Sequence, residues 1–171
     1  MHLAFQGGPC GSKGAYAYLA AAPSWDGTYK LVSDGVITDK GGIHPFCVAG
    51  QDEDPFLWRT ARGFHLLTHG MCPSGLRQAH YKYSRDGVEW NASPWQTYHY
   101  TVSYSDRLPH VFARMERPQL AFAERDEETG FVSKPIALFN GVCGDGSRGS
   151  NFECVFDQLT GKTWTLVREL E

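Results

Sequence analysis

Positive charge is scarce in this chain. Lys and Arg total 16 against 19 Asp and Glu, for a net charge of −3 over 171 residues, and no basic stripe gathers on any segment. A nucleic-acid partner therefore has no electrostatic footing. No apolar run approaches the roughly 18 residues a membrane helix requires, so no membrane partner is expected. None of the five cysteines (10, 47, 72, 143 and 154) forms a Cys-x-x-Cys pair, which removes the usual zinc frameworks. The start, "MHLAFQGGPCG", has neither the basic opening nor the apolar core of a secretory leader. The protein is then cytosolic, or this is not its native beginning. Residues 1–24 contain no Asp or Glu at all. Helical periodicity is almost missing.

What is present is aromatic, glycine-rich and strand-like. Ten Phe, eight Tyr and five Trp accompany 19 Gly and nine Pro, a composition that favours short strands and tight turns. Alternating segments such as "GFHLLTH", "AHYKYS", "PIALFNGV" and "TWTLVREL" are punctuated by turn pairs at Asp26-Gly27, Asp34-Gly35, Asp86-Gly87 and Thr160-Gly161. The expectation is an all-β chain of antiparallel hairpins.

Two features repeat. A tight turn beside an aromatic occurs at Trp25–Tyr29, Ser84–Trp90 and Thr160–Trp164. An acid also precedes a proline and an apolar strand in both "DEDPFLW" and "ARMERPQLAF", whose prolines, Pro55 and Pro118, stand 63 residues apart. A unit of about 60 residues with four short strands suits one propeller blade. The chain then divides into blade-like units at roughly 1–50, 51–111 and 112–171. Three blades leave edges unpaired, so self-association through those edges is expected. The whole reads as a single, incomplete propeller domain.

The segments "EDPFLWRTARGFHLLTH", "YSRDGVEW", "RMERPQLAF" and "PIALFNGV", in order from about Trp25 to Val142, resemble the five-bladed β-propellers related to family-43 glycoside hydrolases. The resemblance implies a carbohydrate partner and a funnel into which successive blades each deliver a carboxylate. One carboxylic acid protonates the leaving oxygen while an opposed carboxylate activates water. Carried over by motif, Asp54 matches the second-blade aspartate and Glu116 the general acid, with the proline fixing the start of the inner strand. Arg117 stands where better-known members have a small residue, and the first-blade carboxylate is absent. No cofactor or metal is implied.

Each of these residues also has a plain structural reading. Asp54 can cap a turn before Pro55, and Glu116 can pair at the surface with Arg114 or Arg117. His65 and His69, four apart in a strand, face the same way as Leu67 and read first as core or hydrogen-bonded residues, or else as funnel lining or holders of a central ion. Trp58 reads as blade packing, or as a platform for a sugar. Arg117, Trp58 and His65 are the candidate substrate-binding residues. Trp90 and Trp164 are expected to pack between blades. Asn91-Ala92-Ser93 has the form of a glycosylation sequon, weakened by Pro94. A disulfide from Cys143 to Cys154 can clasp the loop "GDGSRGSN". Three functions stay open: a glycosidase lacking its base, a non-catalytic sugar binder, and a structural blade array.

Overall fold

The computed structural model describes residues 1–8, 16–37, 52–71, 77–145 and 163–170. Among them there is no helix, as the sequence predicts. The strands are β1 (His2–Gly7), β2 (Tyr16–Ala21), β3 (Lys30–Val36), β4 (Asp52–Thr60), β5 (Gly63–Met71), β6 (Arg77–Ser84), β7 (Asn91–Ala92), β8 (Thr101–Val102), β9 (His110–Phe122), β10 (Pro135–Asp145) and β11 (Thr163–Glu169). They form three antiparallel sheets ordered β1-β2-β3, β4-β5-β6-β7 and β8-β9-β10-β11. The first strands lie side by side, β1 against β4 and β4 against β9. The third sheet also takes in β8, which lies ahead of the unit boundary drawn at 111/112.

Two apolar layers join the sheets. Leu19 and Ala17 from the first sheet meet Phe64, Leu66 and Trp90 from the second. Leu67 and Ala79 from the second meet Met115, Leu138 and Val142 from the third. Neighbours Leu66 and Leu67 are both fully buried, one on each face of β5, which makes the middle sheet the shared wall. Burying such a leucine contributes about 1.5–3 kcal/mol.

The turn at Ser84–Trp90 is a closed hydrogen-bonded clamp. Asp86 Oδ1 accepts from the Val88 and Glu89 amides at 2.8 and 3.0 Å, and from Ser84 Oγ at 3.1 Å. Trp90 Nε1 donates to the Gly87 carbonyl at 3.0 Å, and its ring is 2% exposed against the first sheet. Gly87 has φ +81°, and a Cβ there would lie 3.0 Å from Leu19 Cδ2. Gly87→Ala is therefore expected to destabilise the fold by about 1–3 kcal/mol, the strain of a left-handed non-glycine residue, read as a lower melting temperature.

The third expected clamp differs. Trp164 is 54% exposed on β11, not packed between sheets, because β11 has a described neighbour, β10, on one side only. Trp25 is likewise exposed. Cys143 is disulfide-bonded. The other four cysteines, the Thr160-Gly161 turn and most of the "GDGSRGSN" loop lie outside the described residues.

Candidate functional site

Both acid-and-proline motifs sit on strands that carry the same irregularity. In the β4–β5 ladder, Glu53 opposes His69 and Phe56 opposes Leu67, so Asp54 and Pro55 together face Thr68. In the β9–β10 ladder, Glu116 opposes Gly141 and Gln119 opposes Phe139, so Arg117 and Pro118 together face Asn140. Each is a β-bulge with two residues against one. Asp54 and Arg117 share φ +52° and are the only non-glycine residues with positive φ among those described. Proline suits such a site, because the bulge leaves a position where the ladder needs no amide donor. Left-handed geometry at a non-glycine residue costs about 1–3 kcal/mol and concentrates where a fold serves a function.

This register corrects the pairing read from sequence. Asp54 and Glu116 do not occupy equivalent backbone positions. Glu53 matches Glu116 and Asp54 matches Arg117, each pair 63 residues apart. Aligning "EDPFL" with "ERPQL" on the proline would have found Glu53. The acid directly next to proline drew the eye instead.

The carboxylates converge electrostatically. Burial pushes the Glu53 carboxyl above the ordinary glutamate value, and the negative charges of Asp54 and Glu116 push it further. Arg114 and a hydrogen bond with Gln6 oppose them. Gln6, on β1, also accepts a hydrogen bond from the Asp54 amide at 3.4 Å. The first sheet thus brings an amide to the two acids. Arg114 donates to Glu116 Oε1 at 3.3 Å. Glu116, Arg114 and the exposed Arg117 line one groove of about 400 Å³.

His69 is buried at the base of the cluster, with Nε2 hydrogen-bonded to the Tyr100 hydroxyl at 2.8 Å. Glu53, Asp54 and His69 each bring a ligand atom within 4.8 Å of the others, a set that a divalent cation can bridge. A larger hollow of about 900 Å³ beside Tyr104, Leu108 and Trp164 has no carboxylate in its lining, so the candidate site is placed on the carboxylates.

His65 and Trp58 lie elsewhere. On β5 and β4 they pair directly across the ladder, toward the turn that joins the two strands and away from the bulge. Their rings stack at 5.2 Å. His65 bonds to Tyr81 Oη at 2.7 Å and Thr60 Oγ1 at 2.9 Å.

Beneath the second-sheet bulge lies a network the sequence did not reveal. Buried Asp52 accepts from Thr68 Oγ1 at 2.7 Å, His80 Nδ1 at 3.0 Å and Lys82 Nζ at 2.5 Å. Burial alone would raise the Asp52 pKa. The His80 hydrogen bond and the Lys82 charge outweigh it and hold the carboxyl well below the ordinary aspartate range. The third sheet carries the same places with different residues. Asn140 stands for Thr68 and donates to the Glu116 carbonyl at 3.4 Å. Arg168 pairs with Leu138 as Lys82 pairs with Leu66, but Met115 replaces Asp52, and Arg168 Nη2 meets its sulfur at 3.8 Å. Compared with protein families, curated proteins and solved structures, the chain matches none.

Proposed function

We propose that the three sheets are blades of a propeller akin to family-43 glycoside hydrolases, and that the duplicated bulge forms its sugar-cleaving site. The observation that carries this reading is the repeated Glu-x-Pro bulge, which places Glu53, Asp54 and Glu116 within electrostatic reach of one another. The side-by-side order of β1, β4 and β9, with β8 paired only to His110 and Val111 at the start of β9, is what the inner strands of successive blades require.

The roles follow from the environments. Glu53 keeps its proton to higher pH than an ordinary glutamate and is the proton donor to the leaving oxygen. The resemblance gives Glu116 the acid's part; the raised Glu53 carboxyl exchanges the two roles in this reading, so that Glu116, held by Arg114, is the opposed carboxylate that activates water. Asp54 sustains the raised pKa of Glu53. Two carboxyls whose environments differ in this way are how one site runs both acid and base chemistry.

A second reading, a sugar binder without turnover, is favoured by Gln6, since an amide cannot act as a base. The two separate in one experiment. Xylo-, arabino- and galacto-oligosaccharides are incubated with the protein, new reducing ends are counted, and binding is measured by calorimetry. Release by the wild-type protein, lost in Glu53→Gln and Glu116→Gln, is the expected result. Binding without release selects the second reading. Neither binding nor release refutes both.

A further inference from the structure

Away from the carboxylates, a second groove of about 860 Å³ runs along the outer end of the middle sheet. It is built from two kinds of side chain. The first is a stack of rings, of which His65, Tyr81 and Tyr83 line the groove and Trp58, outside its lining, continues the stack. Trp58 lies on His65 at 5.2 Å, His65 on Tyr81 at 6.0 Å, and Tyr81 on Tyr83 at 6.1 Å, with interplanar angles of 15°, 10° and 28°. The stack emerges at the surface at Tyr83, which is 45% exposed.

The second is cationic. Arg59, Arg62 and Arg85 all line the groove, and its lining contains no Asp or Glu, although the chain as a whole is acidic. The Arg59 guanidinium is held between the rings of Phe64 and Phe131, 4.8 and 5.1 Å from their centroids. Its Nε is buried with no hydrogen-bond acceptor. Arg62 acts on the ring stack directly. Burial and the Arg62 charge together hold His65 below its ordinary pKa, so it stays neutral beside the arginines.

We propose that this groove binds an acidic oligosaccharide, with a sugar ring laid on Tyr83 and its carboxylates held by Arg62 and Arg85. The flat outer face of Tyr83 offers apolar area to the C–H face of a pyranose. A guanidinium fork matches a carboxylate in two-point geometry, which an ammonium cannot do. A single-stranded nucleic acid would use the same elements. It would also need a positive field tracking several phosphates, and a chain of net charge −3 has three arginines here and no basic stripe beyond them. The proposal rests on the reading of the chain as a carbohydrate-binding propeller. It adds a second subsite and a charge class to that reading.

The test is calorimetry with trigalacturonate, neutral galactotriose and a short oligothymidylate. It is run on the wild type, on the double variant Arg62→Gln/Arg85→Gln, on Tyr83→Ala and on Glu53→Gln. Arg62 and Arg85 are exposed, so the double variant folds, and a melting curve checks it. Trigalacturonate should bind the wild type at least tenfold more tightly than galactotriose. That affinity should fall toward about 1 M salt, where the Debye length is about 3 Å. The arginine and tyrosine variants should each lose tenfold or more. Undiminished binding in the arginine variant overturns the proposal. So does oligothymidylate binding as tight and as sensitive to the same variants. Galactotriose binding that depends on Glu53, with no trigalacturonate binding, refutes the groove but leaves the carbohydrate reading standing. No saccharide binding at all brings both down.

Discussion

Asp52→Asn should be among the most destabilising single changes available in this chain, by about 3–5 kcal/mol, because it removes the carboxylate from a buried ion pair. Lys82 and Asp52 are each about 3–4% exposed at the side chain. Asparagine keeps the shape and can still meet Thr68, but it cannot neutralise Lys82. For a domain of this size the loss corresponds to a fall in melting temperature of about 6–20 °C, against a total stability of about 5–15 kcal/mol. The double change Asp52→Met/Lys82→Met should recover only part of it: apolar replacement of a buried ion pair is often neutral, but Thr68 and His80 lose their acceptor. The third sheet already uses methionine at the matching position, Met115. A melting temperature unchanged in Asp52→Asn would show that the pair contributes nothing.

The same carboxyl sets the acid limit of the fold. Its folded pKa lies below the unfolded one, so its contribution is fully present above the ordinary aspartate value of about 3.9. It is lost progressively as the pH falls from there toward the folded value. Denaturant midpoints should therefore drop steeply below about pH 4, and the slope should be shallower in the double-methionine variant, since Asp86 and Asp126, also held below the ordinary aspartate value, keep theirs.

Glu53→Gln should reduce glycoside hydrolysis by a factor of about 10²–10⁴, the usual share of general acid catalysis, and it should not weaken the fold. The sign runs opposite to that of Asp52. The pKa of Glu53 is raised, so its charge is a penalty above the folded pKa, relieved as the pH falls through that value toward the ordinary glutamate value. A neutral isostere removes the penalty, and the variant should melt at or slightly above the wild-type temperature at neutral pH. Retained turnover in Glu53→Gln would remove Glu53 from the chemistry. A large fall in melting temperature would make it a structural residue instead.

Strand content, the Asp26-Gly27 turn and the clamp at Ser84–Trp90 were legible because each rests on a local rule, whereas Asp34-Gly35, expected as a turn, lies inside β3. Asp-Gly turns and a nearby Trp need no knowledge of distant partners. The bulges were not legible, since an extra residue in one strand is defined only by the strand it faces. The burial of β6 was not legible either. In "AHYKYS" the aromatic residues suggest the core face, yet Lys82 and Ser84 are buried while Tyr83 is half exposed. Burying a lysine is tolerable only because Asp52, about thirty residues earlier in sequence, stands opposite it, and no local pattern announces that. Trp164 misled for a simpler reason: β11 lies at the edge of its sheet among the described strands, so its tryptophan has no neighbouring sheet to enter.

The paired bulges have a consequence for how such a chain can change over evolutionary time. Along a strand, each residue added or removed turns every later side chain to the opposite face. Arg117 supplies the extra position that lets Glu116 face one way while Leu120 still reaches the interior contacts it makes. Loss of that one codon would leave composition, charge class and nearly every residue intact, yet it would turn the rest of β9 inside out. Ordinary substitutions at the exposed Arg117 should be easily absorbed. Single-codon insertions and deletions between Glu53 and Phe56, or between Glu116 and Gln119, should be purged. The two segments would then stand out in any mutational library as places that accept new letters but no change in length.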